Sequence, residues 1–299
     1  MNTPQNTPEM NPSAARGPVI PAGAKRPFLI AGPCVLEGEA MALEVAERVA
    51  GWARERGLTY VFKASYRKDN RTAAHSYTGP AMEAGLATLA TVREKVGVPV
   101  LTDVHCRQEI PAVAAVADVL QIPAFLCRQS RLLAVAAETG RAVNVKKGQF
   151  LAPADMAHAV TKIRETNPGA EIFLTERGSC FGYRDLVVDM RGLAFMRTLP
   201  GRTVFDATHA LQRPGAGGDR KFLPALARAA LAAGAEGIFA EVHPDPDRAL
   251  SDATTQLPLE HLPALLDEWM RLGSLVAELE ETTPVFEGPD WPGLERIES

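Results

Sequence analysis

The residues able to do chemistry fall in short clusters that recur along the chain. Cys34 closes the segment IAGPC. Lys63, Lys68, Asn70 and Arg71 crowd into FKASYRKDNR. Gln121 and Arg128 lie in QIPAFLCRQ, Lys146 in NVKKGQF, Arg177 in LTERG, His209 in FDATH and Glu241 in EVHP, with Asp252 shortly after. Lysine and arginine repeated in this way point to anions. Each would need a phosphate or carboxylate to offset the cost of partial burial, and arginine adds bidentate geometry. Cys34, His209, Glu241 and Asp252 supply one thiol, one imidazole and two carboxylates, a donor set that suits a divalent metal such as zinc, iron or manganese. Their spacing matches no local ligand motif, and a lone cysteine is usually a small buried apolar residue. On spacing alone both readings of Cys34 stay open.

Each cluster follows a short apolar run: FLIAG, YVFKA, PVLTD, VLQIP, AVNVK, EIFLT, TVFDA and GIFAEV. These runs are too continuous for half-exposed strands and suit strands buried on both faces. Between them lie amphipathic helical patterns, such as Met82, Leu86, Leu89, Val92 and Val96 on one face, or Leu262, Leu265, Leu266, Trp269 and Leu272 on another. Strand–helix units repeated without a break predict an α/β fold, a (β/α)8 TIM barrel in one domain; an open doubly wound sheet is the rival. A barrel gathers functional residues at the C-terminal ends of its strands and makes the first and last strands neighbours. Cys34, His209, Glu241 and Asp252 can then converge. The barrel is expected over residues 27–280. Residues 1–26 read as a disordered, proline-rich tail, and 281–299 as an extension, either loose or docked through Phe286 and Trp291.

Bulk properties narrow the function. The 299 residues carry a formal net charge of -4, so no global basic field draws nucleic acid. No apolar run approaches the roughly 20 residues that span a bilayer, and the polar N-terminus lacks a secretory pattern. Four separated cysteines form no CxxC pair. A cytoplasmic enzyme with reduced thiols and no membrane partner is expected. The segment PGAGGDRK, from Pro214, lacks the GK[ST] ending of a phosphate-binding loop and reads as a loop over the barrel mouth. His158 and His261 fall in helical stretches and are read as structural or surface residues.

The segments IAGPCVLE, FKASYRKDNR, QIPAFLCRQ, NVKKGQFLAP, LTERGSCFGYRDLVVDM, FDATHALQ and EVHPDPDRALSDATTQLPL resemble the 3-deoxy-D-manno-octulosonate 8-phosphate synthase family, in order, from about residue 28 to about residue 275. The resemblance implies a homotetrameric barrel that condenses phosphoenolpyruvate with D-arabinose 5-phosphate and water, in lipopolysaccharide sugar biosynthesis. It implies a divalent metal, because metal-dependent members carry cysteine where this chain has Cys34. Cys34, His209, Glu241 and Asp252 then fall on ligand positions. By the same matching, Lys63, Lys68, Lys146 and Arg177 look like phosphoenolpyruvate contacts, with Gln121 nearby. Asn70 and Arg71 look like contacts to the sugar phosphate, and Arg128 is similar to a residue that reaches into a neighbouring subunit. Catalytic roles fall to His209, Lys146 and Lys68. The chain departs from the family's KANRSS at Asp69, Thr72 and Ala73, and its glycine-rich loop after His209 is shorter. The alternative is the related 3-deoxy-D-arabino-heptulosonate 7-phosphate synthase, which takes erythrose 4-phosphate. It typically carries a KPRT-type segment, so Asn70 argues for the longer sugar. A catalytically dead barrel used for metabolite binding or scaffolding predicts broken ligand or anion contacts; here both sets are present.

Overall fold

The computed structural model describes residues 17–69, 75–180, 185–213 and 216–283. Asn70, Arg71, Thr72, Ala73, Phe286 and Trp291 lie outside the described residues. Eight strands carry the fold: β1 (Phe28–Gly32), β2 (Tyr60–Lys63), β3 (Val100–Asp103), β4 (Val119–Ile122), β5 (Ala142–Lys146), β6 (Ile172–Glu176), β7 (Arg202–Asp206) and β8 (Gly237–His243). Each pairs in parallel with the next, and β8 pairs back onto β1, so the sheet closes as the expected (β/α)8 barrel. The helices are α1 (Glu39–Arg56), α2 (Met82–Val96), α3 (Ile110–Val116), α4 (Ser130–Glu138), α5 (Met156–Thr166), α6 (Met190–Met196), α7 (Leu223–Ala232) and α8 (Leu262–Thr282). Among the described residues no helix is long and apolar enough to cross a membrane. A two-residue hairpin, Ser179–Cys180 with Leu186–Val187, follows β6. Pairs this short leave no periodic trace in a sequence.

Side chains alternate across a strand, so every strand has an inner and an outer series. Outward residues such as Leu29, Ala31, Phe62, Val143, Val145 and Phe205 join helix residues such as Val45, Val49, Leu89 and Leu132 in one large core. Inward residues form a second cluster inside the barrel: Phe28, Ile30, Val61, Leu101, Val119, Ala142, Phe173, Val204 and Phe239. Two residues further along the strands, the same inward series turns polar: Lys63, Asp103, Gln121, Asn144, Thr175, Asp206 and Glu241. A buried polar layer therefore rests on an apolar floor, and the period of two in the sequence puts it there.

The chain starts to pack earlier than the expected boundary at residue 27. Ile20 is buried within the inner apolar cluster, and the backbone N–H groups of Val19 and Ile20 donate to the Glu171 carboxylate at 2.7 and 3.1 Å. Composition missed this because two apolar residues between prolines make no periodic pattern.

Candidate functional site

The β1–β8 register sets Gly32 opposite Glu241, which brings Cys34, two residues on, to the same corner of the mouth. Gly32 is required there because a Cβ at this position would overlap the Lys63 carbonyl oxygen. Past Glu241, β8 continues until Val242 and His243 pair with Leu257 and Pro258. The intervening loop carries Ser251 and Asp252 back over the corner. Asp252 has φ 47°, the one positive φ at a non-glycine among the described residues. Aspartate tolerates this region better than most residues, and such outliers gather where a side chain must be aimed.

The four donors meet. Cys34 Sγ lies 3.3 Å from Asp252 Oδ2 and 2.9 Å from Ser251 Oγ. His209 Nε2 lies 3.7 Å from both Glu241 Oε1 and Asp252 Oδ2. Ligand atoms of Cys34, Glu241 and Asp252 all fall within 4.8 Å of one another. Glu241 is fully buried, yet among the described residues its Oε2 has no hydrogen-bond partner. An orphaned carboxylate oxygen beside a thiol and an imidazole fits a divalent cation. Burial pushes the Cys34 thiol well above its ordinary range, and Asp252 and Glu241 push it further. A cation at this corner would reverse that, because the thiolate is the ligand form.

The lysines are not free cations. Lys63 Nζ lies 2.6 Å from Glu241 Oε1 and donates to Cys34 O at 3.0 Å. Lys68 Nζ is 3.8 Å from the same Glu241 oxygen. Lys146 Nζ donates to Asp206 Oδ2 and sits 3.2 Å from the centroid of the Phe239 ring. His209 Nδ1 lies 2.8 Å from that Asp206 oxygen, so one carboxylate serves both residues. Burial would raise the Glu241 carboxyl, but Lys63, His209 and Lys68 outweigh it and hold it down at about 2. Lys146 goes the other way: burial outweighs Asp206 and lowers it to about 8. Lys63, Lys68, Lys146, Arg177 and Arg213 line one cavity of about 490 Å³ together with Asp103, Asp206 and Asp252.

Arg177 is aimed by its neighbours. Glu176 Oε1 accepts from the backbone N–H groups of Arg177 and Gly178 at 2.9 and 2.6 Å. Lys147 Nζ lies 3.5 Å from that oxygen and donates to Ser179 Oγ at 2.9 Å. Arg177 Nη2 donates to Gln212 Oε1 at 2.6 Å, whereas its buried Nη1 has no partner among the described residues, a donor an anion could take. Arg128 is exposed after β4, outside the lining of the cavity.

Asp103 and Asp206 lie within the apolar runs PVLTD and TVFDA, where no role was read for them, and Ser65, Gln212 and Ser251 were passed over. Asp103 accepts hydrogen bonds from Ser65 Oγ and Gln121 Nε2, and Lys68 and Lys63 hold it ionised, well below its ordinary range, against the pull of burial. The available signal was its inward parity: Asp103 stands two residues after the inward Leu101.

The sequence model of the DAHP synthetase I family matches residues 7–278. The chain is 53% identical over 262 residues to the 2-dehydro-3-deoxyphosphooctonate aldolase of Aromatoleum aromaticum, covering 85% of this chain and 94% of that one. It is 52% identical over 260 residues to the protein of that name from Alkalilimnicola ehrlichii, covering 85% and 94%. The aldolase of Syntrophotalea carbinolica is 52% identical over 253 residues, covering 83% and 91%. A closed barrel with this mouth, matched over nearly its whole length, belongs to the DAHP synthetase I family.

Proposed function

We propose that this enzyme condenses phosphoenolpyruvate with D-arabinose 5-phosphate and water, giving 3-deoxy-D-manno-octulosonate 8-phosphate and inorganic phosphate. The observation that carries the reading is a cavity lined by buried lysines, Arg177, His209 and Asp252, with Cys34 and Glu241 adjoining it beside Asp252. The relatives' shared name supports the same reaction.

Lys63, Lys68, Lys146 and Arg177 hold the phosphate and carboxylate of phosphoenolpyruvate. Each charge-assisted hydrogen bond contributes about 1.5–3 kcal/mol. Catalysis is then mainly positioning and electrostatics: C3 of phosphoenolpyruvate is set against the aldehyde carbon, and water adds at C2. Lys146, Lys68 and His209 touch the reacting groups. Gln121 stands beside these contacts, and Asn70 and Arg71, carried over from the resemblance, take the phosphate of the aldehyde. Cys34, His209, Glu241 and Asp252 would hold a divalent cation of zinc, iron or manganese, whose chemistry when bound is to polarise the aldehyde oxygen or orient the water. The protein works in the cytoplasm as a homotetramer, supplying a lipopolysaccharide sugar. Exposed Arg128, with exposed Phe125 and Phe150 on neighbouring loops, faces an adjoining copy.

Phosphate release from phosphoenolpyruvate, measured with each aldehyde, tests the reaction. Arabinose 5-phosphate should support turnover; turnover with erythrose 4-phosphate alone would sink the reading. Sedimentation of wild-type and Arg128→Ala protein tests the assembly. A monomeric wild type would rule out the tetramer.

A further inference from the structure

The backbone N–H of Cys34 donates not to a strand but to a side chain, Gln256 Oε1, at 3.2 Å. The other end of the same amide, Gln256 Nε2, donates to Ser251 O at 2.8 Å. The Ser251 hydroxyl in turn lies 2.9 Å from Cys34 Sγ. This ring of contacts starts and ends on Cys34. Cys34, Ser251 and Gln256 are all buried.

Gln256 also holds Asp252. Its backbone N–H donates to Asp252 O at 3.1 Å, beside that of Thr255 at 3.0 Å. Thr255 Oγ1 donates to the same oxygen at 3.2 Å. These bonds close the turn that keeps Asp252 at φ 47°. One residue after Gln256, Leu257 pairs with Val242 of β8, directly after Glu241. The sheet thus fixes Gln256, and Gln256 fixes two of the four donors: Cys34 through its side chain and Asp252 through its main chain.

Backbone chemistry decides which way the amide points. The Cys34 N–H can only donate and the Ser251 carbonyl can only accept, so the amide oxygen faces Cys34 and the nitrogen faces Ser251. An ionised glutamate would have no hydrogen for Ser251, and asparagine is one methylene shorter. The Cys34 carbonyl is held as well, accepting from Lys63 Nζ at 3.0 Å and from the Ser65 N–H at 3.3 Å. With both main-chain polar groups engaged, Cys34 has little freedom to swing its sulfur away from Asp252 Oδ2, 3.3 Å off.

We infer that Gln256 is a positioning residue for the metal corner, setting the separation of Cys34 and Asp252 by bridging the end of β1 to the Ser251–Asp252 turn. The inference rests on the reading that Cys34, His209, Glu241 and Asp252 hold a divalent cation. Gln256 does not line the cavity, and both ends of its amide are taken by main chain, so it acts only through those donors.

Gln256→Met keeps the length of the side chain and strips both contacts. Metal-free protein titrated with zinc or cobalt(II) against a competing chelator reads the affinity. The thiolate-to-cobalt absorption band, absent from Cys34→Ala protein, reads the sulfur itself. The dissociation constant should rise about 10–100-fold and the band should weaken. At saturating metal the KM for phosphoenolpyruvate should stay within about twofold of wild type, which a general collapse of the mouth would not allow. Wild-type metal affinity in folded Gln256→Met protein would overturn the inference even if the melting temperature fell, because Gln256 would then serve the fold alone. Gln256→Asn covers the case of a methionine variant that does not fold. Its shorter amide reaches one partner at a time, so a smaller loss is expected, and wild-type affinity would again count against the bridge. If wild-type protein binds neither ion, or Cys34→Ala binds as tightly as wild type, the metal corner falls and takes this inference with it. If wild type binds through Cys34 and the Gln256 variants match it, the bridge alone falls.

Discussion

Lys63 Nζ lies 2.6 Å from Glu241 Oε1, so an ammonium of the basic cluster and a carboxylate of the metal-donor set neutralise each other. Both side chains are almost wholly buried. Breaking such a pair from one side costs about 3–5 kcal/mol, because the remaining charge has no counterion. Lys63→Met should therefore lower the melting temperature of metal-free protein sharply. A divalent cation should recover part of the loss by taking over as the counterion of Glu241. Thermal unfolding with and without added zinc or manganese checks this; an equal loss in both conditions would show that Glu241 does not serve the cation.

Chelation should abolish consumption of phosphoenolpyruvate, and a divalent metal should restore it. Elemental analysis beside the assay identifies the ion, and full activity in protein verified free of metal would end the claim. Cys34→Asn should retain some activity without metal, in keeping with the family members that carry asparagine there. A folded but wholly inactive variant would contradict this.

Lys146 gives a pH dependence with a definite sign. Its ammonium is lowered to about 8 from an ordinary 10.5, with burial the leading cause and Asp206, Lys63 and Glu241 facing it. Between those two values the unfolded chain binds the proton that the native state has lost. This group therefore favours the native state increasingly as pH rises through that window. Binding runs the opposite way, since the neutral amine attracts phosphate and carboxylate less. kcat/KM for phosphoenolpyruvate should fall above about pH 8, and Lys146→Arg should move that limb upward. A flat profile to pH 10 would remove Lys146 from the anion contacts.

Gly32→Ala should destabilise the fold by about 1–3 kcal/mol, because the new methyl meets a strand carbonyl that cannot yield cheaply. Cys34 lies two residues on, so metal affinity should drop along with the denaturation midpoint. Wild-type metal affinity in the variant would show that the corner tolerates a shift of β1.

The barrel was legible in the sequence because burial on both faces makes strands continuous and apolar. FLIAG and AVNVK coincide with β1 and β5 as observed. The corner of Cys34, His209, Glu241 and Asp252 was legible only as a possibility, since closure of the barrel, not spacing, brings it together. Pairings were not legible at all. Nothing in the string says that Lys146 shares Asp206 with His209, or that Thr175 reaches Asn144, because each contact depends on strand tilt and register. Ile20 was lost for a related reason: a single residue plugging the barrel from below has no periodicity to announce it.

The apolar layer under the site has a consequence for traffic. Phe28, Phe173 and Phe239, with Ile20 beneath, make the barrel a blind-ended well. The cavity therefore has no exit through the bottom of the barrel, and on the proposed reading both substrates use the one mouth. A layer of hydrocarbon at the bottom thus makes the mouth the shared way in and out.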